Sequence, residues 1–155
     1  MSIQPGRGAT LLALATLILL VGQACTIGPS GAGDPRTLEV VFEPGELTDR
    51  LPVRLVDHTG LVTSMVVAGP ALDQVELLAV WNPPGRPDAL LVQWLGGACD
   101  SSVALEFDRT EAGFGLTIRT EQQLVLGCVA AGISRTVRLD FSADVDAGTV
   151  AFGGG

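Results

Sequence analysis

From Thr37 onward, apolar and polar residues alternate along the chain with a period of two, the spacing of a strand that buries one face. In 37–43, Leu38, Val40 and Phe42 share one side and Glu39 and Glu43 the other. In 51–57, Leu51, Val53 and Leu55 alternate with Pro52, Arg54 and Val56. Pro52 has no N–H for a ladder, so this strand is expected at a sheet edge or with Pro52 at its start. Segments 61–68 and 75–81 are apolar on both faces and read as central strands, although 61–68 also suits a buried helical turn. The loop Asn82–Pro87 (NPPGRP) separates them from a strand at 89–95, with Leu90, Val92 and Trp94 in phase.

The cleanest unit comes next. Val103, Leu105 and Phe107 alternate with Ala104, Glu106 and Asp108; Phe114, Leu116 and Ile118 alternate with Gly115, Thr117 and Arg119. Glu111-Ala112-Gly113 between them is a hairpin loop signal, and folding about residue 111 sets Cys99 opposite residue 123 or so. Strands at 136–142 and 149–152 end the series. Beyond the N-terminal segment no helical period is sustained. About nine short strands with frequent turns predict an all-β fold, a small antiparallel β-sandwich, with a barrel as the alternative. Trp94, in phase with the strand's apolar side, is assigned to the core.

The first 25 residues follow another rule. Arg7 and the terminal amine precede an apolar run, Ala9–Val21, of 13 residues. That length suits a signal-peptide core and is short for a membrane span. The run leads into Val21-Gly22-Gln23-Ala24-Cys25. This stretch resembles the lipobox of the bacterial lipoprotein class, in which the cysteine thiol receives a diacylglyceryl group and becomes the new N-terminus. The resemblance covers the leader alone and implies lipidation of Cys25, a membrane anchor and an extracytoplasmic location. Gly22 and Ala24 also fit an ordinary secretory cleavage site after Ala24, and an uncleaved anchor is a third reading. On the lipoprotein reading, 1–24 is the signal peptide, 25–36 the lipidated cysteine and a Gly/Pro/Ser-rich tether, and 37–153 a single domain.

The chain has three cysteines, Cys25, Cys99 and Cys128. Lipidation accounts for the odd one and leaves a pair that an oxidising compartment would hold as a disulfide. Closing that loop of roughly 30 residues would stabilise by about 3–4 kcal/mol in the chain-entropy model; two buried free thiols are the alternative.

All nine basic residues are arginines, against 17 Asp and Glu. Without Arg7 the balance is 8 against 17, a formal −9. No basic cluster is present, so a nucleic-acid partner is not expected. The expected partners are the membrane, through the lipid, and a protein or glycan.

Candidate chemistry is sparse. The single histidine, His58, beside Asp57, is the imidazole that a hydrolase would have to use, and no Gly-x-Ser-x-Gly elbow accompanies it. His58 and Trp81, the latter at a strand end before Asn82-Pro83-Pro84, are the candidate ligand-binding residues. Asp144-Val145-Asp146-Ala147-Gly148 carries carboxylates at a calcium-loop spacing but lacks the further ligands and distal glutamate. It reads as a polar turn. Phe141-Ser142-Ala143-Asp144-Val145-Asp146 resembles a run found in bacterial immunoglobulin-like surface modules, over six residues. A true immunoglobulin domain needs Cys, Trp, Cys in chain order, whereas Trp81 and Trp94 precede both Cys99 and Cys128. No metal site, cofactor or catalytic residue is assigned. The expected function is a lipid-anchored, non-catalytic interaction or ligand-binding module; a hydrolase using His58 and a calcium-dependent adhesion-type module are the alternatives.

Overall fold

In segment 51–57, Leu51, Val53 and Leu55 are buried while Pro52 and Arg54 are exposed, so the alternation has become a strand with one face in the core. The computed structural model describes residues 34–43, 50–69, 78–123 and 132–153, all within the unit Ala32–Gly155. Among them nine strands form: β1 (Arg36–Phe42), β2 (Leu51–Asp57), β3 (Val62–Ala68), β4 (Leu78–Trp81), β5 (Ala89–Gly97), β6 (Asp100–Thr110), β7 (Gly113–Gln122), β8 (Gly132–Phe141) and β9 (Val150–Gly153). A 3-10 turn, Ala147–Thr149, precedes β9.

The strands make two sheets, one ordered β1-β2-β6-β7-β9 and the other β3-β8-β5-β4. The architecture is an all-β sandwich, rich in antiparallel pairs. The second sheet is antiparallel throughout. In the first, β2 pairs with β6 and β7 with β9 in parallel. The β6–β7 hairpin turns at Glu111-Ala112, pairing Thr110 with Gly113. At its open end the Gln123 N–H donates to the Cys99 carbonyl at 3.0 Å, which is the pairing that the alternation predicts.

Edge and centre differ from the expectation at two strands. β3 and β4, apolar on both faces, are the two edges of the second sheet, and the doubly flanked strands are β8 and β5. β2 is internal. Its Pro52 is the second residue of the strand, and the ladder to β6 begins after it, at Val53, so no β6 bond needs the missing N–H.

The core lies between the sheets. Leu55, Leu105, Phe107 and Leu116 from one side meet Leu90, Val92, Val137 and Leu139 from the other, all with no exposed surface. Burying each such side chain contributes about 1.5–3 kcal/mol. Rings join the sheets at two points. Phe107 packs on Phe141 with centroids 5.4 Å apart, and Phe42 meets Trp94 edge-on at 6.0 Å. Trp94 is therefore a core residue, 3% exposed.

Candidate functional site

His58 follows β2 directly. Its backbone N–H donates to the Phe107 carbonyl at 2.9 Å, and its Nε2 lies 3.0 Å from Glu106 Oε1. Glu106 alternates with buried Leu105 and Phe107, so it points away from the core. The His58 and Glu106 side chains are 40% and 45% exposed, a setting in which an ion pair is worth about 0–1 kcal/mol. Asp57, the neighbouring acid, is buried and engaged elsewhere. Its Oδ1 accepts from the Thr59 N–H at 2.8 Å and the Thr59 hydroxyl at 2.6 Å, and its Oδ2 from the Val62 N–H at 3.0 Å. Asp57 therefore shapes the β2–β3 connection. Among the described residues no hydroxyl or thiol is hydrogen-bonded to the imidazole.

Trp81 stands on the other sheet. It pairs with Leu91 at the end of β4, and the same row continues through Arg138 of β8 to Val66 of β3. The row alternates with core residues Val80, Val92 and Val137, so Trp81, partly buried, belongs to the outward side of the second sheet. His58 and Trp81 thus face outward from different sheets, and the fold does not bring them together.

The loop after Trp81 is tightly fixed. Pro83-Pro84-Gly85-Arg86 closes a turn with the Arg86 N–H on the Pro83 carbonyl at 3.0 Å. Gly85 takes φ +72°, which a side chain would resist. Asn82 Nδ2 donates to the Ala89 and Val145 carbonyls at 2.8 and 2.7 Å, and its Oδ1 accepts from the Ala147 N–H at 3.0 Å. Arg86 forks onto Asp88 and also reaches Asp140 at 3.1 Å. Asp140 further accepts from Arg138 at 3.0 and 3.2 Å and from the Ser64 hydroxyl at 2.6 Å. Burial pushes the Asp140 carboxyl up, but the Ser64 hydroxyl, Arg138 and Arg86 together hold it below the ordinary aspartate range. Asp88 is held low by its hydrogen bond to Arg86.

Cys99 lies in the tight turn between β5 and β6 and is disulfide-bonded. Cys25 and Cys128 lie outside the described residues. Next to Cys99 is the most buried ion pair described, which the sequence reading missed. Arg135 Nη1 meets Asp100 Oδ2 at 3.0 Å, with side chains 5% and 1% exposed. Arg135 Nη2 donates to the Gly97 carbonyl at 3.0 Å, and the Gly97 N–H to Asp100 Oδ2 at 2.8 Å. Gly96 makes room for the pair: a Cβ there would collide with Arg135 Nη1 and Asp100 Oδ2. The glycines of Leu95-Gly96-Gly97 are the only local signal, since the two charges are 35 residues apart.

The segment 144–148 is a turn. Asp146 Oδ1 accepts from the Gly148 N–H at 2.8 Å and its carbonyl from the Thr149 N–H at 3.0 Å. Among the described residues no group of three or more His, Cys, Asp or Glu is placed to hold a metal ion. A shallow hollow of about 330 Å³ opens on the outward side of the first sheet. Val41, Pro52 and Ala104 line it, with Glu39, Arg54 and Glu121 around them. Along the sequence these are the outward positions of alternating strands, indistinguishable from a solvated face. Neither His58 nor Trp81 lines it. Comparison with protein-family models, curated proteins and solved structures finds no match to this chain.

Proposed function

We propose that this chain is a lipoprotein, anchored through an acyl group on Cys25 and displaying its β-sandwich outside the cytoplasm as a non-catalytic interaction or ligand-binding module. One observation carries the reading: the apolar run Ala9–Val21 that leads into Ala24-Cys25. The disulfide at Cys99 supports it, because such bonds persist in oxidising compartments. We pair Cys99 with Cys128. The strand that returns opposite Cys99 at Gln123 is five residues short of Cys128 along the chain.

A module that binds rather than reacts suits the rest of the molecule. The imidazole is engaged by an exposed carboxylate, and the acid beside it serves a connection between strands. The hollow over Val41, Pro52 and Ala104 offers an apolar floor with charges of both signs at its rim, a surface for a protein or glycan partner. The test is metabolic labelling with a clickable fatty acid in a bacterial host. The wild type is expected to take up label and to sediment with membranes. Cys25→Ser is expected to lose both properties. Unlabelled wild-type protein in the soluble fraction would overturn the proposal.

A further inference from the structure

The hollow on the outward side of the first sheet has a simple cause. Short side chains, Pro52, Ser102 and Ala104, stand next to long ones, Glu39, Arg54 and Glu121. The register fixes this arrangement. Val41 pairs with Pro52, Arg54 with both Glu39 and Ala104, and Ser102 with Glu121. Val41, Pro52 and all three long side chains are exposed in the folded chain, so the hollow opens to solvent.

Its charge is uneven. Two carboxylates and one guanidinium line it. Glu39 has Arg54 opposite it in register. Glu121 Oε2 accepts from the Ser102 hydroxyl at 2.8 Å, and Arg119, the nearest cation on its own strand, lies outside the lining. Glu106 and Asp88, by contrast, already have His58 and Arg86. The chain carries a formal net −8, which draws cations and repels both anions and a second copy of itself. No aromatic ring lines the hollow for a sugar to stack on. Its volume, about 330 Å³, is at the lower end of clefts that enclose small molecules and suits one long side chain.

We propose that the hollow receives an arginine side chain of a polypeptide partner. The aliphatic stem lies over Val41, Pro52 and Ala104, as the stems of long cationic side chains do on apolar surface. The guanidinium donates to the Glu121 carboxylate, for which its planar fork is suited. The inference rests on the binding-module reading above and names the chemistry of the partner.

Backbone amide NMR on the full chain in detergent tests it. The probe is the capped peptide Gly-Ser-Arg-Ser-Gly; the controls are the same peptide with Glu in place of Arg, and a methyl glycoside. The arginine peptide is expected to shift the Val53, Ser102 and Ala104 amides saturably, and less so at high salt. The controls are expected to leave them in place. Glu121→Gln is expected to weaken binding about two- to fivefold, the range of an exposed ion pair, and Ala104→Leu, which fills the hollow, to abolish it. Glu111→Gln removes the same charge at the hairpin tip and is expected to bind as the wild type does. Amides that ignore the arginine peptide, equal shifts with the glutamate peptide, or a Glu121→Gln variant that binds like the wild type would each overturn the proposal. Shifts with the glycoside alone would overturn it and leave a ligand-binding module standing. None of these outcomes depends on the lipid, which fatty-acid labelling tests separately.

Discussion

Arg135 and Asp100 show how much of this molecule depends on single residues that leave little trace in the sequence. The pair joins β8 of one sheet to β6 of the other, and both side chains are almost fully buried. Removing one partner strands a buried charge, which costs about 3–5 kcal/mol, whereas replacing both with apolar residues of similar volume often costs little. Arg135→Ala is therefore expected to lower the unfolding free energy in urea by about 3–5 kcal/mol. Arg135→Met combined with Asp100→Leu is expected to lose less than Arg135→Ala. Asp140 is the second such residue. Its carboxyl lies below the ordinary aspartate value of about 3.9, so the folded state takes up its proton less readily than the unfolded chain. The stabilisation is complete above the ordinary value and is lost as the pH falls below it through the folded-state value. Thermal melts across acid pH are expected to show a shallower decline for Asp140→Asn than for the wild type.

At the scale of elements, alternation marked strands such as β2 and β6, in which one side touches the core and the other does not, whereas β3 and β4 stood out as short apolar runs between turns. Trp94 could be assigned to the core from its phase with Leu90 and Val92 alone. Alternation records which side is buried and not which strand lies alongside, so the parallel β2–β6 and β7–β9 pairings were not legible. For the same reason β3 and β4 read as central. His58 and Trp81 stood out as residue types, but only pairing reveals that they face outward from different sheets. Connections between strands depend on similar local detail. Asp57 holds the turn from β2 into β3 through three hydrogen bonds. Asp57→Asn keeps one acceptor oxygen for Thr59 but places an N–H₂ where the Val62 N–H needs an oxygen. A buried donor left unsatisfied costs about 1–3 kcal/mol, and chemical denaturation of the variant is expected to show a loss of that size.

For the whole molecule, the sandwich is held by an apolar interior, two ring contacts between sheets and a buried ion pair beside Cys99. If Cys99 and Cys128 are partners, Cys99→Ser and Cys128→Ser destabilise equally, by about 3–4 kcal/mol in the chain-entropy model, and the double variant loses no more than either alone. Unequal losses would break the pairing. The proposed anchor is a claim about the N-terminus, and one measurement reaches it directly: intact-mass spectrometry of the protein extracted from the membranes of a bacterial host. The account predicts a chain that begins at Cys25 and carries the mass of a diacylglyceryl group. A chain that keeps Met1 and the apolar run, or one that begins at Cys25 with an unmodified thiol, would contradict it.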